Sequence, residues 1–167
     1  MFQTLANGGE RIEPRIVSRI TGSDGEEMDQ QEPATTRVVS PETARTTVDM
    51  FRATFQEDPN GVQNGTAQGN GIEGYQLSGK TGTAQKVDEE TGAYSQSRYW
   101  ITFAGIAPAD DPRFVVALML DEPQRGPLEG GRGGQSAAPV FKEIAAWLLN
   151  RENIPVSYTH LTLPTKA

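Results

Sequence analysis

Ala44, Val48, Phe51 and Phe55 follow one another at spacings of four, three and four, with Arg45, Asp49 and Arg52 in the gaps. This period turns one apolar stripe toward a core and the charges toward water, and so predicts an amphipathic helix. Ser40-Pro41-Glu42 marks its start: serine can cap, proline suits the first helical position, and a carboxylate complements the positive end of the dipole. The helix is expected to end near Asp58-Pro59. A second stripe, Val140, Phe141, Ile144, Ala145 and Leu148, predicts a helix from about Ser136 that packs on a sheet.

Two runs rich in β-branched and aromatic residues, Trp100 to Ile106 and Phe114 to Leu120, predict strands. The link between them, Ala107 to Arg113 with Pro108 and Pro112, suits a hairpin and hence antiparallel pairing. Tyr75 to Val87 suits a further strand, although Gly79 and Gly82 weaken its propensity. Ile12, Ile16, Val17 and Ile20 suggest a strand interrupted by Pro14, followed by a polar loop from Thr21 to Thr36. Gly61 to Gly71 reads as a mobile connection, and Gly126 to Gly134 as a glycine-rich loop. Met1 to Asn7 carries about two uncapped helical turns and stops at Gly8-Gly9, as the end of a longer helix would; a truncated N-terminus is the expectation.

The chain has 167 residues, 35% hydrophobic and 22% charged, the composition of one folded domain. Fifteen Lys and Arg against 22 Asp and Glu leave a net charge of −7, which argues against nucleic acid as a partner. No apolar run approaches the roughly 20 residues needed to cross a bilayer. The absence of cysteine removes disulfides, thiolate zinc sites and a cysteine nucleophile together. The only histidine, His160, lies in Ser157 to Ala167, eleven residues with no cap or amphipathic continuation. They resemble translated linker sequence, so residues 157–167 are read as a non-native tail and excluded from the chemistry. A Ser-His-Asp triad is thereby nearly excluded, and no metal or cofactor is expected.

Gly74 to Thr81 (GYQLSGKT) satisfies the spacing of a phosphate-binding P-loop, and Val115 to Leu120 before Asp121-Glu122 imitates its magnesium-holding strand. That reading, a nucleotide-binding protein, needs a buried strand before Gly74 and a helix after Thr81. The polar stretch Gly65 to Glu73 and the run Asp88-Glu89-Glu90-Thr91-Gly92 leave room for neither. The competing reading puts Lys80-Thr81-Gly82-Thr83 on an extended strand beside a cleft, with Lys80 and Gly82 on one side and Thr81 and Thr83 on the other. Gly82 would let a ligand approach the main chain, and the Thr83 amide could donate to an oxyanion. Lys-Thr-Gly alone also occurs in ordinary surface turns.

The segments YQLSGKTGTAQ (75–85), YWITFAGIAP (99–108) and FVVALML (114–120) together resemble the transpeptidase domain of class B penicillin-binding proteins. Leu5 to Gly9, Val39 to Ala44 and Ala137 to Phe141 extend the similarity, which spans about residues 1–154 and is nearest to the division-type subgroup. The resemblance implies an α+β fold, an antiparallel sheet flanked by helices, here incomplete. Residues 1–156 would be the C-terminal portion of that domain. It implies a peptidoglycan D,D-transpeptidase that cross-links stem peptides through an acyl-enzyme on serine and is acylated by β-lactams. Its parent would be anchored in the cell membrane with this domain outside, among division-complex proteins. By match, Lys80 positions and electrostatically assists the substrate, the Thr81 and Thr83 hydroxyls hold the carboxylate of the peptide or β-lactam, and the Thr83 amide serves the oxyanion hole; Lys80, Thr81, Gly82 and Thr83 together line the substrate site.

The chain departs from the family in one respect: no Ser is followed three positions later by Lys, and no Ser-x-Asn occurs. The nucleophile is therefore absent from the chain, and without it the remaining residues can orient a ligand but not acylate. A C-terminal fragment explains this most simply; a degenerate, non-catalytic homologue or interaction domain is the alternative. Ser78 has no identifiable base and is assigned to backbone placement. Asp88-Glu89-Glu90 and Asp110-Asp111 read as solvated turns, Arg125 and Arg132 as part of a flexible loop, and Trp100, Phe103, Phe114 and Trp147 as core.

Overall fold

The computed structural model describes residues 1–28, 32–124 and 133–157. Its elements run α1 (Phe2–Ala6), β1 (Glu10–Ile12), β2 (Thr35–Arg37), α2 (Pro41–Arg52), a 3-10 turn (Ala53–Phe55), β3 (Ser78–Val87), β4 (Tyr94–Ala107), β5 (Phe114–Asp121) and α3 (Gly133–Arg151). Ser40 caps α2 as expected, its hydroxyl accepting from the Thr43 amide at 3.1 Å. Gly8 and Gly9 both take positive φ (63° and 94°) and stop α1.

Strands β3, β4 and β5 form one antiparallel sheet in that order. Lys80 lies opposite Ala104, and Ala104 opposite Ala117; Gly82, Thr102 and Met119 form the next row. Strand alternation gives this sheet two unlike faces. On one, Ile101 and Phe103 are buried beneath Ala137, Phe141 and Ala145 of α3. The Phe103 and Phe141 rings meet at 4.8 Å, and Phe55 closes on both. On the other, Ile106 packs on Val48 of α2, with Phe2 and Leu5 of α1 against them. The architecture is thus an antiparallel sheet flanked by helices, as the sequence resemblance implies.

Three local expectations change. The strand proposed over Ile12 to Ile20 is only Glu10–Ile12, paired with Thr35–Arg37. Pro14 removes a ladder donor, and Ile16, Val17 and Ile20 are exposed. The buried face of α3 is Ala137, Ala138, Phe141, Ala145 and Leu149, while Val140 and Ile144 are more than a third exposed. Trp100 (40% exposed) and Trp147 (57%) are not core residues, whereas Phe103 is. Each tryptophan instead lies under a cation, Lys86 and Arg151 respectively.

Candidate active site

Strand β3 borders the sheet, and a buried hydrogen bond fixes which of its groups face outward. The Thr54 hydroxyl donates to Gly79 O at 2.6 Å, so that carbonyl points away from β4. Successive residues of an antiparallel strand alternate between the paired and the open edge. The N–H and C=O of Thr81 and Thr83 therefore share the open edge with those of Gly79, while Ser78, Lys80 and Gly82 pair toward β4. In agreement, Lys80 Nζ reaches round to donate to Thr81 O at 2.9 Å.

The side chains divide by the same alternation, as the sequence predicts. Lys80 and Gly82 lie on the face of Thr102, Ala104, Ala117 and Met119, and with Phe2 these line a shallow apolar groove of about 450 Å³. Thr81 and Thr83 lie on the face of Phe103 and Ile101, at the margin of α3. A Cβ at position 82 would meet the Thr102 hydroxyl, which would have to turn aside. Lys80 and Thr83 are exposed, and Thr81 and Gly82 are partly so. An ammonium, two hydroxyls and an outward amide thus sit within four consecutive residues.

Thr81 has a neighbour that the sequence did not disclose. Its Oγ1 lies 3.1 Å from Thr66 Oγ1. Thr66 belongs to the Gly61 to Gly71 segment, which is strapped down rather than a loose connection. The Gly65 amide donates to Gln56 O and the Ala67 amide to Thr54 O, each at 2.8 Å. No periodicity or motif marks this residue, because the contact joins positions fifteen apart in the chain through the fold alone.

The P-loop reading is overturned. Thr81 is followed by strand through Val87, with no helix to direct amides at a phosphate. Asp121 and Glu122 do not await magnesium; both hold Lys86, at 2.5 and 2.7 Å, and their hydrogen bonds raise the Lys86 pKa, Asp121 contributing most. A register shift between Gln85 and Val87 accompanies this clasp. Among the described residues no cluster of His, Cys, Asp or Glu suits a metal. Ser78 is fully buried and donates to Val48 O at 2.8 Å, a tie between β3 and α2. Asp88 closes a turn, and the amide and hydroxyl of Thr91 hold its carboxyl below the usual range. Asp110 accepts from the Ser157 hydroxyl at 2.8 Å. Arg125, Arg132 and His160 lie outside the described residues.

The fold and its edge strand are those of the acyl-transferase class that the sequence resembles. A family model described as the penicillin binding protein transpeptidase domain matches residues 1–146. The chain is 54% identical over 157 residues to penicillin-binding protein PbpB of Mycolicibacterium smegmatis, covering 94% of this chain and 24% of that protein. It is 32% identical to a peptidoglycan D,D-transpeptidase FtsI homologue of Mesostigma viride, covering 97% of this chain and 27% of the relative. Penicillin binding protein 3 of Mycobacterium tuberculosis, crystallised with aztreonam, superposes with a TM-score of 0.84 at 48% identity, over 93% of this chain and 34% of that one. The chain belongs to the penicillin-binding protein transpeptidase domain family, and it spans about a quarter of the length of these curated relatives.

Proposed function

We propose that this chain forms the Lys-Thr-Gly wall of a peptidoglycan D,D-transpeptidase active site, residues 1–156 being the C-terminal portion of the catalytic domain. The observation that carries the reading is the open edge of β3, where the Thr81 and Thr83 main-chain groups face outward beside two hydroxyls and the Lys80 ammonium. An extended stem peptide, or a β-lactam in its place, would lie along this edge. The Thr81 and Thr83 hydroxyls would receive its carboxylate. As a serine from elsewhere in the domain attacks the carbonyl, the Thr83 amide would donate to the growing oxyanion. Lys80 would stabilise negative charge from the groove side. The serine must come from outside this sequence, which has no Ser-x-x-Lys.

The relatives' names, penicillin-binding protein and peptidoglycan D,D-transpeptidase, support the reaction, and we propose its setting as well. The parent protein cross-links the cell wall on the outer side of the membrane that anchors it, alongside division proteins. No helix among the described residues is long and apolar enough to be that anchor.

Intact-mass measurement after β-lactam treatment tests the reading. The full-length protein should gain one adduct, and Lys80→Ala should slow its formation by about 10²-fold. This chain alone should gain none. A stoichiometric adduct on the isolated chain, or an unimpaired Lys80→Ala protein, would contradict it.

A further inference from the structure

The geometry points to Thr66 as a positioning residue for the transpeptidase reaction, one that sets the Thr81 hydroxyl toward the ligand's carboxylate. This inference rests on the reading of the β3 edge given above. The two hydroxyl oxygens are 3.1 Å apart, within hydrogen-bond range, and neither residue is buried, so a ligand can reach the pair. A threonine hydroxyl has one proton and two lone pairs. Thr81 Oγ1 donates to Thr66 Oγ1 and is thereby held in place; when a carboxylate takes the Thr81 proton the pair reverses, Thr66 donating to Thr81 Oγ1, and the two bonds reinforce each other.

The local structure fixes Thr66 more firmly than a loop residue requires. Its chain neighbours are both tied down through their amides, Ala67 to Thr54 of the 3-10 turn and Gly65 to Gln56 just after it. On the other side the start of α3 closes on it: a Cβ at Gly134 would collide with Thr66 O, and one at Gly65 with the carbonyls of Ala53 and Thr54. Glycine at both places lets the segment pass between the turn and the helix. The buried Asn70 amide then bridges Ala67 O and Gly134 O at 3.3 and 3.2 Å.

The test compares β-lactam acylation rates of the full-length protein with Thr66→Val, Thr66→Ser, Thr81→Ala and the double variant Thr66→Val/Thr81→Ala. Valine keeps the branched shape and removes the hydroxyl. Thr66→Val should slow acylation about 3- to 10-fold at unchanged melting temperature, as loss of one hydrogen bond does. Thr66→Ser should recover the parental rate, and Thr66→Val should add nothing in the Thr81→Ala background. A parental rate in Thr66→Val, an equal loss in the Thr81→Ala background, or no rescue by serine would overturn the inference while leaving the β3 reading intact. An unimpaired Thr81→Ala protein would overturn both.

Discussion

Gly105 shows how closely the sheet accepts α3. It lies opposite Gly79 and Val116 in the sheet, and a Cβ there would come within 2.6 Å of the Phe141 ring and 2.9 Å of Ser78 O. Gly105→Ala should therefore destabilise the protein by about 1–3 kcal/mol, the usual effect of overpacking. Gly71, with nothing within 4 Å and no positive φ, should tolerate alanine within about 0.5 kcal/mol. Denaturant unfolding of both variants separates the two outcomes, and equal effects would refute the packing argument. At this scale Lys80 to Thr83 was legible in the sequence, because strand alternation is a local rule and the four residues are consecutive. Thr66 and Gly105 were not, since their importance lies in neighbours brought close by folding.

The β3–β4 hairpin turn carries a pH dependence of known sign. Thr91 donates to Asp88 through its amide at 3.0 Å and its hydroxyl at 3.1 Å, and the Glu90 amide and Arg98 add to the effect. The folded pKa of Asp88 therefore lies below its ordinary value of 3.8. A carboxyl depressed in the fold contributes stability that is fully present above the unfolded pKa and is lost as pH falls through the folded one. Protection of the Thr91 amide from hydrogen exchange, corrected for intrinsic rate, should hold from neutral pH to about 4 and decline below it. Asp88→Asn should abolish that decline; an identical profile in the variant would contradict the assignment. The elements themselves were legible where their signals are local. Ser40-Pro41-Glu42 starts α2, and Phe114 to Leu120 is strand, as read. The apolar run through Ile20 misled because Pro14 breaks its pairing and no partner among the described residues buries it, and α3 presents apolar residues on more than one side.

For the whole molecule, layering follows from the unlike faces of one sheet: aromatic packing under α3, and a smaller cluster around Val48 and Ile106 under α1 and α2. Between these layers the edge of β3 stays open beside the Lys80 groove. Met119 (60% exposed), Trp100 (40%) and Val115 (38%) leave the groove face partly uncovered. The fold class could be read from three strands and two helices, but what covers this face could not, because no residue in the sequence specifies it. The most direct measurement is a crystal structure of the full-length protein acylated by a β-lactam. The ligand carboxylate should lie within about 3.2 Å of the Thr81 or Thr83 hydroxyl, and the acyl oxygen at a similar distance from the Thr83 amide. A ligand bound away from the β3 edge, with Thr81 and Thr83 untouched, would contradict it.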